Sequence, residues 1–201
     1  MTERSDRTNG LLVVGAMVAL MWLLEVIDVI AGNRLDAYGI EPRSTEGLAE
    51  VASAPFLHFG FDHLISNTVP FAIMGAVIAL SGAVRVLLVT AIVALVSGLG
   101  VWLVAPAGSI TLGASGLVFG YAAYLLFRGL FNRSVLEIAI GVVVGVVWGT
   151  ALLGGLLPQE GISWQAHFFG AVGGLVAARA LARGRAESVG RAPALPGARM
   201  A

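Results

Sequence analysis

The 201-residue chain contains no cysteine, which excludes disulfides, thiolate metal sites and a cysteine nucleophile. It also contains no lysine, so all twelve of its basic side chains are arginines. Charged residues make up only 12% of the sequence, which is about half their usual share in a soluble domain. The formal net charge is zero, and this balance argues against nucleic acid as a partner.

Hydrophobic residues account for 58% of the chain and are gathered into runs of membrane-spanning length. The first run lacks the short apolar core and the cleavage site of a signal peptide, so we interpret it as a spanning helix. The sequence therefore predicts an all-α membrane protein, a compact bundle of six transmembrane helices. The predicted helices lie near 11–31, 63–81, 85–105, 115–131, 135–157 and 162–183.

The remaining residues form two polar ends and one long polar loop. We expect residues 1–10 to be a cytoplasmic N-terminal segment, residues 11–183 the membrane domain, and residues 184–201 a disordered basic cytoplasmic tail. The loop 32–57 is long for a compact bundle, and loops of this length are often functional or contain short helices.

The placement of the arginines predicts how the chain is oriented in the membrane. With the N-terminus in the cytoplasm, ten arginines fall on the cytoplasmic side and only Arg34 and Arg43 fall outside. This distribution predicts a multi-pass protein of the plasma membrane with both termini in the cytoplasm. The helices that begin near His63, Ser115 and His167 would then all start at the outer face.

Ser115 lies at the predicted start of the fourth helix, where Gly113 and Gly116 leave little side-chain bulk around it. Phe119 follows one turn later on the same face. Free backbone N–H groups and the positive end of the helix dipole can stabilise an oxyanion at such a position. Close packing of small residues between membrane helices is the alternative role of the glycines.

His167 opens the last helix, and Gly170 and Gly174 follow it on one face. Two glycines at this spacing allow a neighbouring helix to approach closely. If that neighbour is the Ser115 helix, the imidazole can remove the proton of the hydroxyl, which is the minimum that an activated serine requires. No aspartate is placed to orient the imidazole, so the sequence predicts a Ser–His dyad.

His63 and Asn67 are four residues apart and share one helical face, from which both can donate hydrogen bonds. Hydrogen bonding between helices is the alternative role of this pair. With His58, all three histidines of the chain fall at helix starts on the predicted outer side. Three histidines that face one serine favour chemistry over an interfacial role.

Glu25 and Asp28 lie near the outer end of the first helix. They either line a water-filled cavity or reach polar headgroups at the nearby interface, and we favour the second, structural role. The three histidines lack a convergent carboxylate motif and do not match the spacing of a zinc site. The sequence also contains no phosphate-binding loop, and we expect neither a metal nor another cofactor.

Three segments together resemble the rhomboid family of intramembrane serine proteases. They occur in the family's order, on its second, fourth and sixth helices, and the combination is specific although each segment alone is weak. The segments are Leu57-His58-Phe-Gly-Phe-Asp-His63-Leu-Ile-Ser-Asn67, Gly113-Ala-Ser115-Gly116, and Ala166-His167 with Gly170 and Gly174.

The resemblance implies that Ser115 is the nucleophile and His167 its general base. It further implies an oxyanion hole made by His63, Asn67 and the backbone N–H of Ser115, with Gly113 in a supporting position. The reaction expected from the family is hydrolysis of a peptide bond in a transmembrane segment of another protein, near the outer face and without a cofactor. The active site would open to the extracytoplasmic side, and the partners would be membrane-protein substrates and the lipid bilayer.

The resemblance also covers residues around this centre. His58 is similar to an upstream histidine that supports the site and holds water. Phe119 stands where many members have a tyrosine, so the aromatic face is kept and the hydroxyl is lost. Together with Gly116 and Gly170, Phe119 is expected to line the substrate pocket. The first loop lacks the Trp-Arg pair that many members carry.

Two other classes of protein compete with this interpretation. A catalytically silent rhomboid-like protein would bind membrane clients without cutting them, but such proteins usually lack the serine or the histidine, and both are present here. A small transporter or channel would need a polar pathway through the membrane. The polar residues of this chain cluster on one side instead, which favours a cavity open to one face.

Overall fold

The computed structural model describes residues 3–182, and every regular element within them is a helix. Two 3₁₀ turns, Leu35–Tyr38 and Ala54–Phe56, lie before and after the second α-helix. The α-helices in chain order are α1 (Glu3–Ile30), α2 (Thr45–Glu50), α3 (Phe61–Ala79), α4 (Ala83–Val104), α5 (Ser115–Asn132), α6 (Val135–Gly155) and α7 (Trp164–Ala180).

The long helices coincide with the six apolar runs of the sequence, with small shifts at their ends. The largest shift is at α1, which starts at Glu3 because the polar residues before Leu11 continue the same helix. Asp6 in this extension accepts the Ala83 N–H at the start of α4 at 3.4 Å. The predicted tail 184–201 lies outside the described residues.

Among the described residues, four helices are long and apolar enough to cross a membrane, namely Arg4–Ile30 within α1 and the whole of α3, α4 and α6. The helix α5 lies at the centre of the bundle, because twelve of its eighteen residues are buried. The surrounding helices α7, α6, α3 and α4 all pack against it. Side chains carried by α5 are therefore positioned by contacts on several sides.

The segment between α1 and α3 folds into short helices, as its length suggested, and is fastened to the end of α4. The Arg43 guanidinium donates through Nη1 to the carbonyls of Leu103 at 3.2 Å and Ala105 at 2.9 Å. In return, the Trp102 indole donates to the Ser44 carbonyl at 2.7 Å. The two Arg43 bonds satisfy carbonyls at the end of α4 that have no partner within the helix.

The glycines of α5 and α7 bring the two helix backbones into direct contact. A Cβ atom added to Gly170 would lie 2.2 Å from the Gly116 carbonyl oxygen, and one added to Gly174 would lie 2.0 Å from that of Gly120. Only glycine fits at such distances. The expectation that α7 closely approaches a neighbouring helix is confirmed, and the structure shows that this neighbour is the Ser115 helix. The start of α7 is thereby held beside the start of α5.

A buried ion pair joins α5 to α6 at the end of the bundle away from Ser115. Arg128 and the Glu137 carboxylate are 3.1 Å apart, and both side chains are at least nine-tenths buried. Asn132 donates to the other Glu137 oxygen at 2.7 Å. Because both carboxylate oxygens are bonded, the first half of α6 is fixed to α5.

Candidate active site

A cavity of about 990 Å³ opens between α3, α5, α6 and α7 at the end where α5 begins. Ser115 and His167 both line this site cavity, and so do His63, Asn67 and Phe119. Residues that are distant in the sequence are thus brought to one space. Its other walls come from the second half of α6 and from the loops before α5 and α7, with Trp148, Leu152, Gly155, Pro106, Ser109 and Trp164 among the lining residues.

Ser115 is the first residue of α5, and no side chain caps the start of this helix. The first N–H groups of a helix have no partner within it, so those of Ser115 and Gly116 are available to an oxygen in the cavity. Within the described residues, the Ser115 hydroxyl makes no hydrogen bond. Catalytic hydrogen bonds are often long or poorly aligned before substrate binds, so this geometry is compatible with a nucleophile.

His167 lies in the first turn of α7 and is held on two sides. Its ring stacks on Phe119 with the centroids 4.0 Å apart and the planes 4° from parallel. Its Nδ1 lies 2.7 Å from the Gly155 carbonyl oxygen at the end of α6. Since a carbonyl only accepts, Nδ1 carries the proton and Nε2 of the neutral ring is left as the acceptor.

His63 packs against the backbone immediately before Ser115. Gly113 has a φ of +117°, and a Cβ atom there would lie 2.5 Å from Cε1 of His63. The Gly113 N–H donates to the Ala54 carbonyl at 2.9 Å, which fixes this turn. A glycine is therefore required here both for the left-handed backbone and for the imidazole beside it.

Asn67 is buried in α3 and faces the same cavity. Its Nδ2 donates to the His63 carbonyl one turn earlier at 2.9 Å. An amide nitrogen has two N–H groups, so one donor remains beyond this bond. Asn67 can therefore both brace its own helix and donate into the cavity.

His58 lies behind the cavity wall rather than on it. Its Nε2 accepts the N–H of Ala114, the residue before Ser115, at 3.2 Å. The pKa of His58 is lowered to about 4, mainly by burial and to a smaller extent by the neighbouring His63. The Phe56 carbonyl raises the pKa and offsets this lowering only in part. The ring is therefore neutral near pH 7, and it supports the turn that leads into α5.

Gly116 and Gly170 do not line the site cavity, although we expected them in the substrate pocket. Both face the interface between α5 and α7, where each meets the other helix's backbone. Spacing along the sequence shows that the two glycines are near Ser115 and His167, but the rotation of each helix decides which face is turned to the cavity. Their contribution is to the position of the site.

Glu25 and Asp28 turn inward rather than toward the membrane interface that we favoured for them. They are only 2% and 4% exposed, and neither lines the site cavity. Asp28 accepts the Leu35 N–H at 2.6 Å and so fixes the chain after α1. Burial and the nearby Asp28 raise the pKa of Asp36 in the following 3₁₀ turn.

Two groups that position His167 had no clear signal in the sequence. One is the Gly155 carbonyl. Every residue has a main-chain carbonyl, so the residue type at position 155 does not reveal that this one accepts a hydrogen bond from His167. Ser97 donates its hydroxyl to the Ala166 carbonyl at 2.8 Å and thereby ties α4 to the residue before His167. Its only signal in the sequence was a hydroxyl group within a largely apolar helix. Within residues 3–182, no group of three or more histidine or carboxylate side chains is arranged to hold a metal ion.

Comparison with known proteins adds a family to this geometry. Residues 45–184 match the sequence model of a family described as Rhomboid domain. An uncharacterised protein of Mycobacterium tuberculosis is 43% identical over 185 residues, which cover 88% of this chain and 77% of that protein. One from Mycobacterium leprae is 39% identical over 189 residues, covering 88% and 74%. YdcA of Bacillus subtilis, named as a candidate rhomboid protease, is 30% identical over 121 residues, or 60% of each chain.

Proposed function

Because this chain belongs to the rhomboid family and is a multi-pass membrane protein, we propose that it is an intramembrane serine endopeptidase. The observation that carries the proposal is the convergence of Ser115, His167, His63 and Asn67 on one cavity. Acyl transfer by a serine needs a hydroxyl, a base and donors for the oxyanion. The cavity offers a hydroxyl at an uncapped helix start, an imidazole with a free Nε2 and two further donors.

The reaction follows from the roles of these groups. Nε2 of His167 takes the proton from the Ser115 hydroxyl as its oxygen attacks the carbonyl carbon of the substrate peptide. The negative charge that develops on the carbonyl oxygen is stabilised by the backbone N–H of Ser115 and by the side chains of His63 and Asn67. The protonated His167 then gives its proton to the leaving amine, and an acyl-enzyme remains on Ser115. Water, deprotonated by His167, hydrolyses this ester and restores the enzyme.

The substrate class that we propose is a transmembrane segment of another membrane protein. The cavity reaches between helices, and its wall is largely apolar because α6 contributes Trp148, Ala151 and Leu152 to it. An apolar chain can enter such a space at low cost, whereas the polar groups are confined to the end where α5 begins. We expect cleavage near the outer surface of the membrane, at small residues that fit between the helices.

We further propose that α5 and α7 cross the membrane with the other four long helices. At about 1.5 Å per residue their 18 and 17 residues approach the thickness of the hydrocarbon core, about 30 Å. Six crossings place both termini on one side, and the arginine distribution places that side in the cytoplasm. The site cavity then opens to the extracytoplasmic side of the plasma membrane.

A tagged model transmembrane substrate in liposomes tests the proposed activity. Wild type should cleave it, and Ser115→Ala and His167→Ala should each reduce the rate by at least about 1000-fold, since the dyad acts as a unit. Ser109→Ala is the matched control, because Ser109 also lines the cavity but gives its hydroxyl to the Pro106 carbonyl at 2.7 Å. Cleavage that survives Ser115→Ala would exclude Ser115 as the nucleophile.

The competing function is client binding without cleavage. The observation that favours it is that Ser115 and His167 form no hydrogen bond with each other within the described residues. The same assay separates the two functions. A wild-type protein that captures transmembrane segments but cleaves none of a panel of them would be a binding protein.

A further inference from the structure

Gly155, at the end of α6, contacts the imidazole of His167 in two ways, through its carbonyl oxygen and through its Cα. This glycine is the last residue of α6, so its carbonyl is among those that a helix leaves without an internal partner. The His167 Nδ1–H donates a hydrogen bond of 2.7 Å to this carbonyl, and no backbone N–H of the described residues donates to it. The neighbouring carbonyl of Gly154 is different, because it accepts from Gln159 at 2.7 Å.

The Cα of Gly155 also lies against the stacked rings of Phe119 and His167. A Cβ atom at this position would be 2.7 Å from Cζ of Phe119 and 3.0 Å from Nδ1 of His167. The residue does not have a left-handed backbone, so space and not conformation requires glycine. At Gly154, by contrast, a Cβ atom would meet nothing within 4 Å.

We propose that Gly155 is the positioning residue of His167, an inference that rests on the peptidase function proposed above. Its carbonyl holds the proton on Nδ1, so that Nε2 is the basic nitrogen in the cavity. Its missing side chain leaves room for the stack with Phe119 that sets the plane of the ring. In a dyad without a carboxylate, this carbonyl supplies the orienting group that a serine hydrolase otherwise takes from an aspartate.

The same bond acts when the ring is charged. After His167 has taken the serine proton, Nδ1–H still donates to the Gly155 carbonyl, and a hydrogen bond from a charged donor is stronger than one from a neutral donor. The carbonyl therefore favours the imidazolium that forms in the transition state. Loss of this alignment should lower kcat while leaving KM nearly unchanged, because substrate contacts elsewhere in the cavity remain.

Gly155→Ala and Gly154→Ala form a matched pair for testing this role. Both replace a glycine in the last turn of α6 by alanine, so they gain similar helix propensity. Only Gly155→Ala collides with the rings, and a displacement near 1 Å at a catalytic group costs about 100-fold in rate. Gly154 also lies on the cavity wall, but a Cβ atom there touches neither ring, so its substitution leaves the position of His167 unchanged. We therefore expect kcat to fall by that order for Gly155→Ala and to stay within about twofold of wild type for Gly154→Ala.

A second variant separates misplacement of His167 from misfolding. Leucine at position 119 lacks the Cζ atom that the new Cβ would strike, so Gly155→Ala should cost less activity in a Phe119→Leu background than in wild type. A general loss of folding would instead lower activity as much or more in the double variant, and would overturn the positioning role.

Nitrogen-15 spectra of the histidines give a readout that needs no substrate. In wild type, His167 should be the Nδ1–H tautomer, and Gly155→Ala should convert part of it to the Nε2–H tautomer while Gly154→Ala does not. If wild type cleaves but the two alanine variants match in kcat and in tautomer, the positioning role is wrong and the peptidase function stands. If wild type cleaves no substrate, the peptidase function fails and the kinetic role with it.

Discussion

At the scale of single residues, His58 shows how burial selects a protonation state that supports the site. Only a neutral imidazole can accept the Ala114 N–H through Nε2, because protonation would turn that nitrogen into a donor. The pKa of about 4 in the folded protein means that this bond persists under mildly acidic conditions. The turn before Ser115 therefore depends on a histidine that takes no proton.

This protonation state predicts that stability depends on pH. The pKa of His58 falls from 6.5 to about 4 on folding, so the unfolded chain binds more protons within that window. Stability is therefore complete above pH 6.5 and is lost as the pH falls toward 4, by about 3 kcal/mol from this residue. In His58→Gln, which does not titrate, Tm in detergent should fall less between pH 7 and pH 4.5 than in wild type. Equal decreases of Tm in both proteins would refute the assignment.

At the scale of secondary-structure elements, the contact between α5 and α7 determines the distance between the two halves of the proposed dyad. Each helix contributes glycines where the other contributes backbone carbonyls, so the two axes cannot separate or rotate without losing contact over several turns. The first residue of α5 and the first turn of α7 are thereby held at the same end of the bundle. The chemistry of the site depends on this packing even though the glycines do not touch the cavity.

A side chain placed in this contact should damage both stability and activity. Gly170→Ala puts a Cβ atom 2.2 Å from the Gly116 carbonyl oxygen, and such overpacking typically costs about 1–3 kcal/mol. Gly149→Ala in α6 is the control, since a Cβ atom there meets nothing within 4 Å. We expect a lower Tm and slower cleavage for Gly170→Ala only. Equal unfolding temperatures for the two variants would show that the close contact at Gly170 does not limit stability.

The elements were largely predictable from the sequence, and the contacts between them only in part. Apolar runs gave the helices, and the spacing of Gly170 and Gly174 gave the close approach of α7, because both signals are local. The face that each helix turns to the cavity is set by packing with distant segments, so the sequence did not indicate that Gly116 and Gly170 face the α5–α7 interface rather than the cavity. The carbonyl of Gly155 could not be predicted at all, since a main-chain acceptor has no residue type.

At the scale of the whole molecule, the proposed orientation puts the site cavity at the outer face of the membrane and the Arg128–Glu137 ion pair at the inner face. The lack of any cysteine makes this orientation testable with single-cysteine variants. Ser109→Cys in the loop before α5 should react with a membrane-impermeant maleimide added to whole cells. Ser81→Cys between α3 and α4 should react only after the membrane is permeabilised. The reverse pattern would invert the topology and place the site in the cytoplasm.

Labelling with a fluorophosphonate, with the adduct located by mass spectrometry, shows whether Ser115 is a nucleophile that His167 activates. We expect an adduct on Ser115 in wild type and in Ser109→Ala, no adduct in Ser115→Ala, and labelling at least about 100-fold slower in His167→Ala. An unlabelled Ser115 in the folded wild-type protein, or labelling that does not depend on His167, would contradict this assignment.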